Sequence, residues 1–254
     1  MTNVIIRMLH YTLCREINKS YNSVIQIDHK KKDGSPMEKT KTKISKLVVV
    51  FLIVMTVLSF ANCIKIEIDG ELLKIAGLVV LVGIAAYFIT RNTNEHKNAG
   101  LDIKAIPGQI KDVKVIVLIL IPTAINIILT FIEKSLIPDY FEFLKNRIFI
   151  DSSDTPKMLI ELIVLALGEE IALRAFYQKQ TTKIVGFVPA LIITSIAFTF
   201  GHFSYGDPVY MIWDLSGIFV NSIFYGLVFK KTDNAWCSWI SHFLANVVAM
   251  LLLI

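Results

Sequence analysis

Seven stretches of about 20 mostly apolar residues run through this chain and restrict what it can fold into. They cover residues 47–64, 72–90, 113–132, 158–178, 186–203, 209–229 and 235–254. A helix of about 20 residues crosses the hydrocarbon layer of a membrane. In lipid, every backbone polar group must be paired within the protein, which a helix achieves and an open sheet does not. The sequence therefore predicts an all-α fold, a polytopic membrane bundle of about seven transmembrane helices.

The composition agrees with a single integral membrane domain rather than a soluble one. The chain has 254 residues, is 54% hydrophobic and has a mean hydropathy of +0.61, which is too apolar for an ordinary soluble domain. Loops between the stretches are short. Polarity divides the chain into a basic arm (1–46), the first membrane helices with the longest loop (47–156), and a membrane core that holds most of the polar residues inside the stretches (157–254).

The distribution of charge predicts the orientation. Lysines and arginines concentrate in the arm, in the 91–112 loop and in the turns at 179–183 and 230–234, whereas the intervening loops are acidic, mixed or nearly uncharged. The positive-inside rule then places the N-terminus in the cytoplasm and the C-terminus outside, in the plasma membrane if the source is bacterial. The basic arm could also contact anionic lipid. No basic face with interleaved aromatics occurs, so nucleic-acid binding is not expected.

The beginning of the chain leaves two alternatives open. Translation from Met37 would give a basic segment and an apolar run ending in Ser59-Phe60-Ala61, which resembles a cleavable secretory signal. We expect an uncleaved first span, because cleavage would remove one crossing from the charge alternation.

Two adjacent carboxylates and an arginine interrupt the fourth apolar stretch. A charge near a bilayer centre costs about 3 kcal/mol, so Glu169, Glu170 and Arg174 need a functional or a structural reason. Neighbours on a helix point about 100° apart, so the two carboxylates are not expected to face the same spot. Glu170 and Arg174 are four apart and share a face, which predicts an ion pair. That pairing leaves Glu169 available as a general base, unless the group is only a polar cluster that locks helices together.

Further polar residues lie in the last three stretches. His202, near the end of the fifth, would by itself be an interfacial residue. His242 and Asn246 share a helical face and could hold an oxyanion or make one interhelical hydrogen bond, and Asn221 is expected to make a structural one. If the spans are as drawn, counting from their basic ends at 1.5 Å per residue separates His202 from Glu169 and His242 by roughly 10 Å. Longer basic ends, or a later start of the fifth span near Pro189, would close this gap.

Taken together, these residues form three ordered motifs in the membrane core. The motifs are Glu169-Glu170-x-x-x-Arg174, Phe198-x-x-x-His202 and His242-x-x-x-Asn246. They resemble the motifs of the CPBP (Abi) family, which includes the type II CAAX prenyl endopeptidases and bacteriocin-processing relatives. The resemblance covers about residues 157–250 and marks them as a CPBP-like catalytic core.

The resemblance implies intramembrane peptide hydrolysis. Glu169 would activate water with the help of His202, His242 and Asn246 would stabilise the oxyanion, and Glu170–Arg174 would support them as an ion pair. The substrate would be a membrane-presented peptide or lipidated peptide, either prenylated or of the bacteriocin type. The alternative is a non-catalytic immunity or transport protein with the same fold. The oligomeric state is not predicted.

The resemblance also offers a metal site as an alternative. Family members have also been described as metalloproteases, and the corresponding zinc ligands here would be Glu169, His202 and His242. No His-Glu-x-x-His motif occurs. We therefore expect a site without a cofactor, with zinc as the alternative.

Overall fold

The computed structural model describes residues 44–64, 67–68, 71–72, 76–91, 100–147 and 155–253, and the basic arm up to residue 43, with Met37, lies outside them. The helices are α1 (Lys46–Ala61), α2 (Ala76–Thr90), α3 (Ile106–Gln109), α4 (Val113–Leu136), α5 (Asp139–Arg147), α6 (Thr155–Glu170), α7 (Lys179–Val185), α8 (Phe187–Gly201), α9 (Pro208–Thr232) and α10 (Ala235–Leu253). A short 3₁₀ turn covers Ile103–Ala105. Two-residue strands β1 (Glu67–Ile68) and β2 (Glu71–Leu72) pair antiparallel. Most of the other described residues are helical, which confirms the all-α part of the predicted fold class.

Helix length separates the predicted spans into two groups. Three helices of the described chain, α4, α9 and α10, are long and apolar enough to cross a membrane. The helices α1, α2 and α8 are apolar but have only 16, 15 and 15 residues. Since a span needs about 20 residues, the count of about seven crossings stays a prediction.

The fourth apolar stretch forms one long rod with an unusual middle. Helix α6 continues into a π-helical segment, Ile171–Gln178, which leads without a break into α7. The π segment begins directly after Glu170. Single turns of π-helix are rare and occur frequently at functional sites. The rod ends at Gly186, whose φ of 83° is a backbone conformation that favours glycine.

The first two helices pack against the π segment. Gly83 of α2 lies directly against Ala172. The Thr56 hydroxyl of α1 donates to the carbonyl of Leu52 (2.8 Å), so the Tyr177 hydroxyl donates to Thr56 (2.6 Å). This polar contact and the close helix approach fix the π segment from the side of α1 and α2.

Helices α4, α9 and α10 form the other half of the bundle. The Asn126 amide of α4 donates to the carbonyl of Ala245 (3.2 Å), and the Asn221 amide of α9 donates to Asn126 Oδ1 (2.8 Å). The Ser241 hydroxyl donates to the carbonyl of Ile119 (2.8 Å). The structural hydrogen bond predicted for Asn221 is therefore confirmed, and these bonds fix α10 against α4.

The lysine-rich turns lie at the same end of the bundle. Lys179 pairs with Asp233 (2.7 Å), and Lys231 pairs with Asp112 at the start of α4 (2.8 Å). The predicted charge alternation requires these segments to share a side, and the ion pairs agree with it. Which side is cytoplasmic stays a prediction.

The contact between Gly83 and Ala172 gives a test of this packing. A Cβ at Gly83 would collide with Ala172 Cβ and lie 2.7 Å from Met55 Cε, whereas a Cβ at Gly77, also in α2, would meet nothing within 4 Å. We expect Gly83→Ala to destabilise the protein by about 1–3 kcal/mol through overpacking. Gly77→Ala is the matched control and should be neutral or slightly stabilising. Thermal unfolding in detergent measures both, and equal midpoints for the two variants would contradict the close approach.

Candidate active site

Three helices bring Glu169, His202 and His242 together. Glu169 lies at the end of α6, His202 caps the C-terminal end of α8, and His242 lies in α10. Glu169 Oε1 is 3.7 Å from His202 Nε2, and Glu169 Oε2 is 3.6 Å from His242 Nε2. The structure therefore joins three of the predicted catalytic residues around one carboxylate.

The offset between His202 and Glu169 that the spans as drawn would give is not found, because the basic ends of these helices are longer than drawn. The sequence predicts the turn at 179–183, but α7 continues the rod to Val185 and the chain reverses at Gly186. Glu169 precedes Gly186 by 17 residues, and His202 follows it by 16. At about 1.5 Å per residue along two antiparallel helices, these positions lie at the same level.

The end of α8 is held in place by the segment that follows α1. The Asn62 amide donates to the carbonyl of Gly201 (3.2 Å), and the Tyr205 hydroxyl donates to the carbonyl of Cys63 (2.8 Å). These two bonds fix the chain on both sides of His202. The N-terminal helices therefore help to position a residue of the C-terminal core.

The two adjacent carboxylates meet the same side chain, contrary to the sequence expectation. Glu169 approaches Nε2 of His242, and Glu170 Oε1 lies 3.1 Å from Nδ1 of the same ring. The carboxylates do point in different directions. The imidazole lies between them, and its two nitrogens face opposite ways, so each carboxylate reaches one nitrogen.

The ion pair predicted between Glu170 and Arg174 is confirmed. Arg174 Nε donates to Glu170 Oε2 (3.3 Å), and both side chains are fully buried. The guanidinium also donates to Ser222 Oγ (2.9 Å) and Gln178 Oε1 (3.4 Å), and it lies 5.3 Å from the centre of the Phe198 ring. A buried ion pair is tolerated only when its remaining hydrogen-bonding groups also find partners, as they do here.

The hydrogen bonds of the two imidazoles define which nitrogens face Glu169. His202 Nδ1 lies 2.9 Å from the carbonyl oxygen of Phe198, which can only accept, so Nδ1 carries the hydrogen. His242 Nδ1 likewise donates to Glu170, which is paired with Arg174. In the neutral imidazoles, both Nε2 atoms therefore face Glu169 as acceptors.

Glu169 and His202 are the accessible members of this group of side chains. The side chains of His202 and Glu169 are 31% and 20% exposed, while those of His242 and Glu170 are 4% and 0% exposed. Water or a peptide can therefore reach Glu169 and His202, and His242 forms the inner wall.

Aromatic rings complete that inner wall. Tyr225 stacks on His242, with ring centres 4.5 Å apart and planes 18° apart. The Phe198 ring lies 4.5 Å from the ring of His202 and 5.6 Å from that of His242. Sequence reasoning identified Phe198 through its motif but missed Tyr225, for which spacing offered no signal.

Asn246 lies one helical turn beyond His242 on α10, as its spacing predicts, and is half-buried. Its amide makes no hydrogen bond to a described residue, and none of the contacts around Glu169 includes it. The carbonyl of its neighbour Ala245 accepts from Asn126, which holds this part of the helix.

The donor types around Glu169 are among those that zinc accepts. Zinc accepts imidazole nitrogen and carboxylate oxygen as ligands. Yet within the described ranges no group of three or more His, Cys, Asp or Glu residues could hold a metal ion. No catalytic step is therefore assigned to a metal, and the site without a cofactor stays a prediction.

Comparison with known proteins identifies the region that carries this site. Residues 151–248 match the family model described as type II CAAX prenyl endopeptidase Rce1-like, and no curated protein or solved structure matches the chain. The matched region contains every side chain around Glu169. With the three long apolar helices, the match indicates an integral membrane protein of the protease class. The match of residues 151–248 to the Rce1-like family model thus confirms the resemblance seen in the three motifs.

Proposed function

We propose that this protein is an intramembrane endopeptidase that hydrolyses a peptide bond in a substrate presented at or within lipid. The family match supports a CAAX-protease type of enzyme. The observation that carries the proposal is the convergence of His202 Nε2 and His242 Nε2 on the partly exposed carboxylate of Glu169.

Glu169 and His202 are the pair that would activate water. Both present acceptor atoms to the open side of the pocket, 3.7 Å apart, so a water between them can donate a hydrogen bond to each. Glu169 takes one proton as the oxygen of that water adds to the substrate carbonyl carbon. Glu169 then returns the proton to the leaving amine nitrogen. Such general acid–base assistance contributes about 10²–10⁴-fold to a rate.

His242 and Asn246 are the groups that would stabilise the oxyanion. His242 donates from Nε2 when it carries a second proton, because Nδ1–H is already held by Glu170. Asn246 supports the assignment because its amide is not bound to any other described side chain. Donors aimed at a developing oxyanion are worth about 10²–10³-fold each.

The substrate class follows from the membrane setting and the family. A peptide or lipidated peptide, prenylated or of the bacteriocin type, is the proposed substrate, with membrane lipids as the surroundings and no nucleic-acid partner. If the source is bacterial, we place the protein in the plasma membrane; we place its N-terminus in the cytoplasm and assign it no cofactor.

The test uses the purified full chain in lipid nanodiscs with two fluorogenic peptides that differ only in a prenylated cysteine. We expect cleavage of at least one of them, with an unchanged rate after treatment with a zinc chelator. A chelator-sensitive rate that zinc restores would overturn the metal-free mechanism.

The rival function is a non-catalytic immunity protein that uses the same fold. The fully buried Glu170–Arg174 pair favours this rival function, because such a pair could stabilise the fold without taking part in catalysis. Cells carrying the wild type or Glu169→Gln would then resist a peptide toxin equally, with no cleavage of either peptide by the purified protein. That result would replace the endopeptidase proposal.

A further inference from the structure

A line of buried polar groups runs from the inner side of His242 to the backbone of α9. His242 Nδ1 donates to Glu170, Arg174 donates to Glu170 and to Gln178 Oε1, and Gln178 Nε2 donates to the carbonyl oxygen of Gly226 (3.0 Å). Every residue in this line is at most 3% exposed. Buried groups of this kind act as a connected network, in which each member restricts the next.

Gln178 both donates and accepts a hydrogen bond in this line. The carbonyl of Gly226 can only accept, so the amide nitrogen of Gln178 must face it. The amide oxygen is thereby turned toward Arg174. Neither a carboxylate nor an apolar side chain can perform both tasks at this position.

Helix α9 leaves space for the Gln178 side chain at Gly226. A Cβ at Gly226 would lie 2.7 Å from Gln178 Oε1 and would collide with Leu191. One turn earlier on α9, Ser222 Oγ accepts from Arg174 Nη2 (2.9 Å). The same helix therefore fixes Arg174 twice, directly through Ser222 and indirectly through Gln178.

We propose that Gln178 and Ser222 are positioning residues that set the tautomer of His242. They hold Arg174 so that its Nε–H meets Glu170, and Glu170 in turn keeps the hydrogen of His242 on Nδ1. Nε2 is then the atom that faces Glu169. The tautomer assignment stands on the contacts alone, and only its effect on a rate rests on the proposed function.

The first measurement is the tautomer itself, read from ¹⁵N chemical shifts of histidine rings in the labelled full chain in nanodiscs. The His242 signals are those that disappear in His242→Gln. We expect a single Nδ1–H tautomer in the wild type. In Gln178→Glu the new carboxylate competes with Glu170 for Arg174 and cannot donate to Gly226, so His242 should populate both tautomers.

Two further variants make this measurement decisive. Ser222→Ala removes one acceptor of Arg174 and should also mix the tautomers, and it decides the outcome if Gln178→Glu does not fold. Ser195→Ala is the matched control, since Ser195 of α8 is fully buried and its hydroxyl has no partner in the described chain. An unmixed Nδ1–H tautomer in both Gln178→Glu and Ser222→Ala would overturn the proposal.

The second measurement is kinetic and separates positioning from substrate binding. Gln178→Glu should lower kcat by at least about 10-fold with little change in KM, because a His242 ring that is no longer held to Glu170 through Nδ1–H is misplaced beside Glu169 and loses transition-state stabilisation. Ser195→Ala should match the wild type. If the wild type cleaves no peptide, the proposed function fails while the tautomer measurement still decides this inference. Mixed tautomers with an unchanged kcat would overturn the catalytic part.

Discussion

Replacing Glu169 by Gln is expected to lower kcat by about 10²–10⁴-fold without loss of folded protein. Glutamine has nearly the same shape, but its amide cannot take a proton from water. Glu169 is 20% exposed and its described charged contacts are with imidazoles, so the substitution leaves no buried charge without a partner. Cleavage of the reporter peptide measures kcat, and thermal unfolding in detergent checks the fold.

Glu161 offers a matched control for this substitution. It lies two turns earlier on α6, is half-buried and contacts no other described charge. Glu161→Gln removes the same charge from the same helix and should leave kcat unchanged. Full activity in Glu169→Gln would assign the base to another residue, and equal losses in both variants would point to an effect of net charge.

The parts of the site that the sequence predicts correctly are the local ones. Glu170 and Arg174 are four apart, and an α-helical spacing of four puts two side chains on one face whatever the rest of the chain does. The π segment that begins after Glu170 does not disturb this pair. The same rule places Asn246 one turn from His242.

Contacts between helices were harder to predict, because they depend on where each helix ends. A hydropathy window finds the apolar stretch at 158–178, but it does not show that the rod continues to Val185 and turns at Gly186. Because the turn comes a few residues later than predicted, Glu169 lies further from the turn and is level with His202. The window does find α8, as the stretch at 186–203, but it does not show that this helix has only 15 residues.

The residues that sequence reasoning missed are those whose partners are distant in sequence. Gln178 and Ser222 act through Arg174, and Ser222 is 48 residues away from it. Gln178 did carry a weak signal, since it follows Arg174 by four residues and so continues the face of Glu170. Tyr225 carried none, because its stacking on His242 depends on how α9 and α10 pack.

Replacing Arg174 by Met is expected to be the most destabilising single change in the core, at about 3–5 kcal/mol. Methionine fills much of the volume, but Glu170 would keep a carboxylate that is fully buried and has lost its cation. Most of the loss should come from that uncompensated charge rather than from the missing bonds to Ser222 and Gln178. Denaturation in mixed micelles measures the free energy of unfolding.

A double-mutant cycle separates these two sources of the loss. Glu170→Gln removes the carboxylate charge while its amide oxygen can still accept from His242 Nδ1. If the buried charge dominates, Glu170→Gln with Arg174→Met should be more stable than Arg174→Met alone, so the two effects are strongly non-additive. Additive losses would mean that Arg174 stabilises the core through Ser222, Gln178 and Phe198 and independently of Glu170. In that case His242 would keep its Nδ1–H tautomer in Arg174→Met, whereas a true ion-pair dependence predicts that it does not.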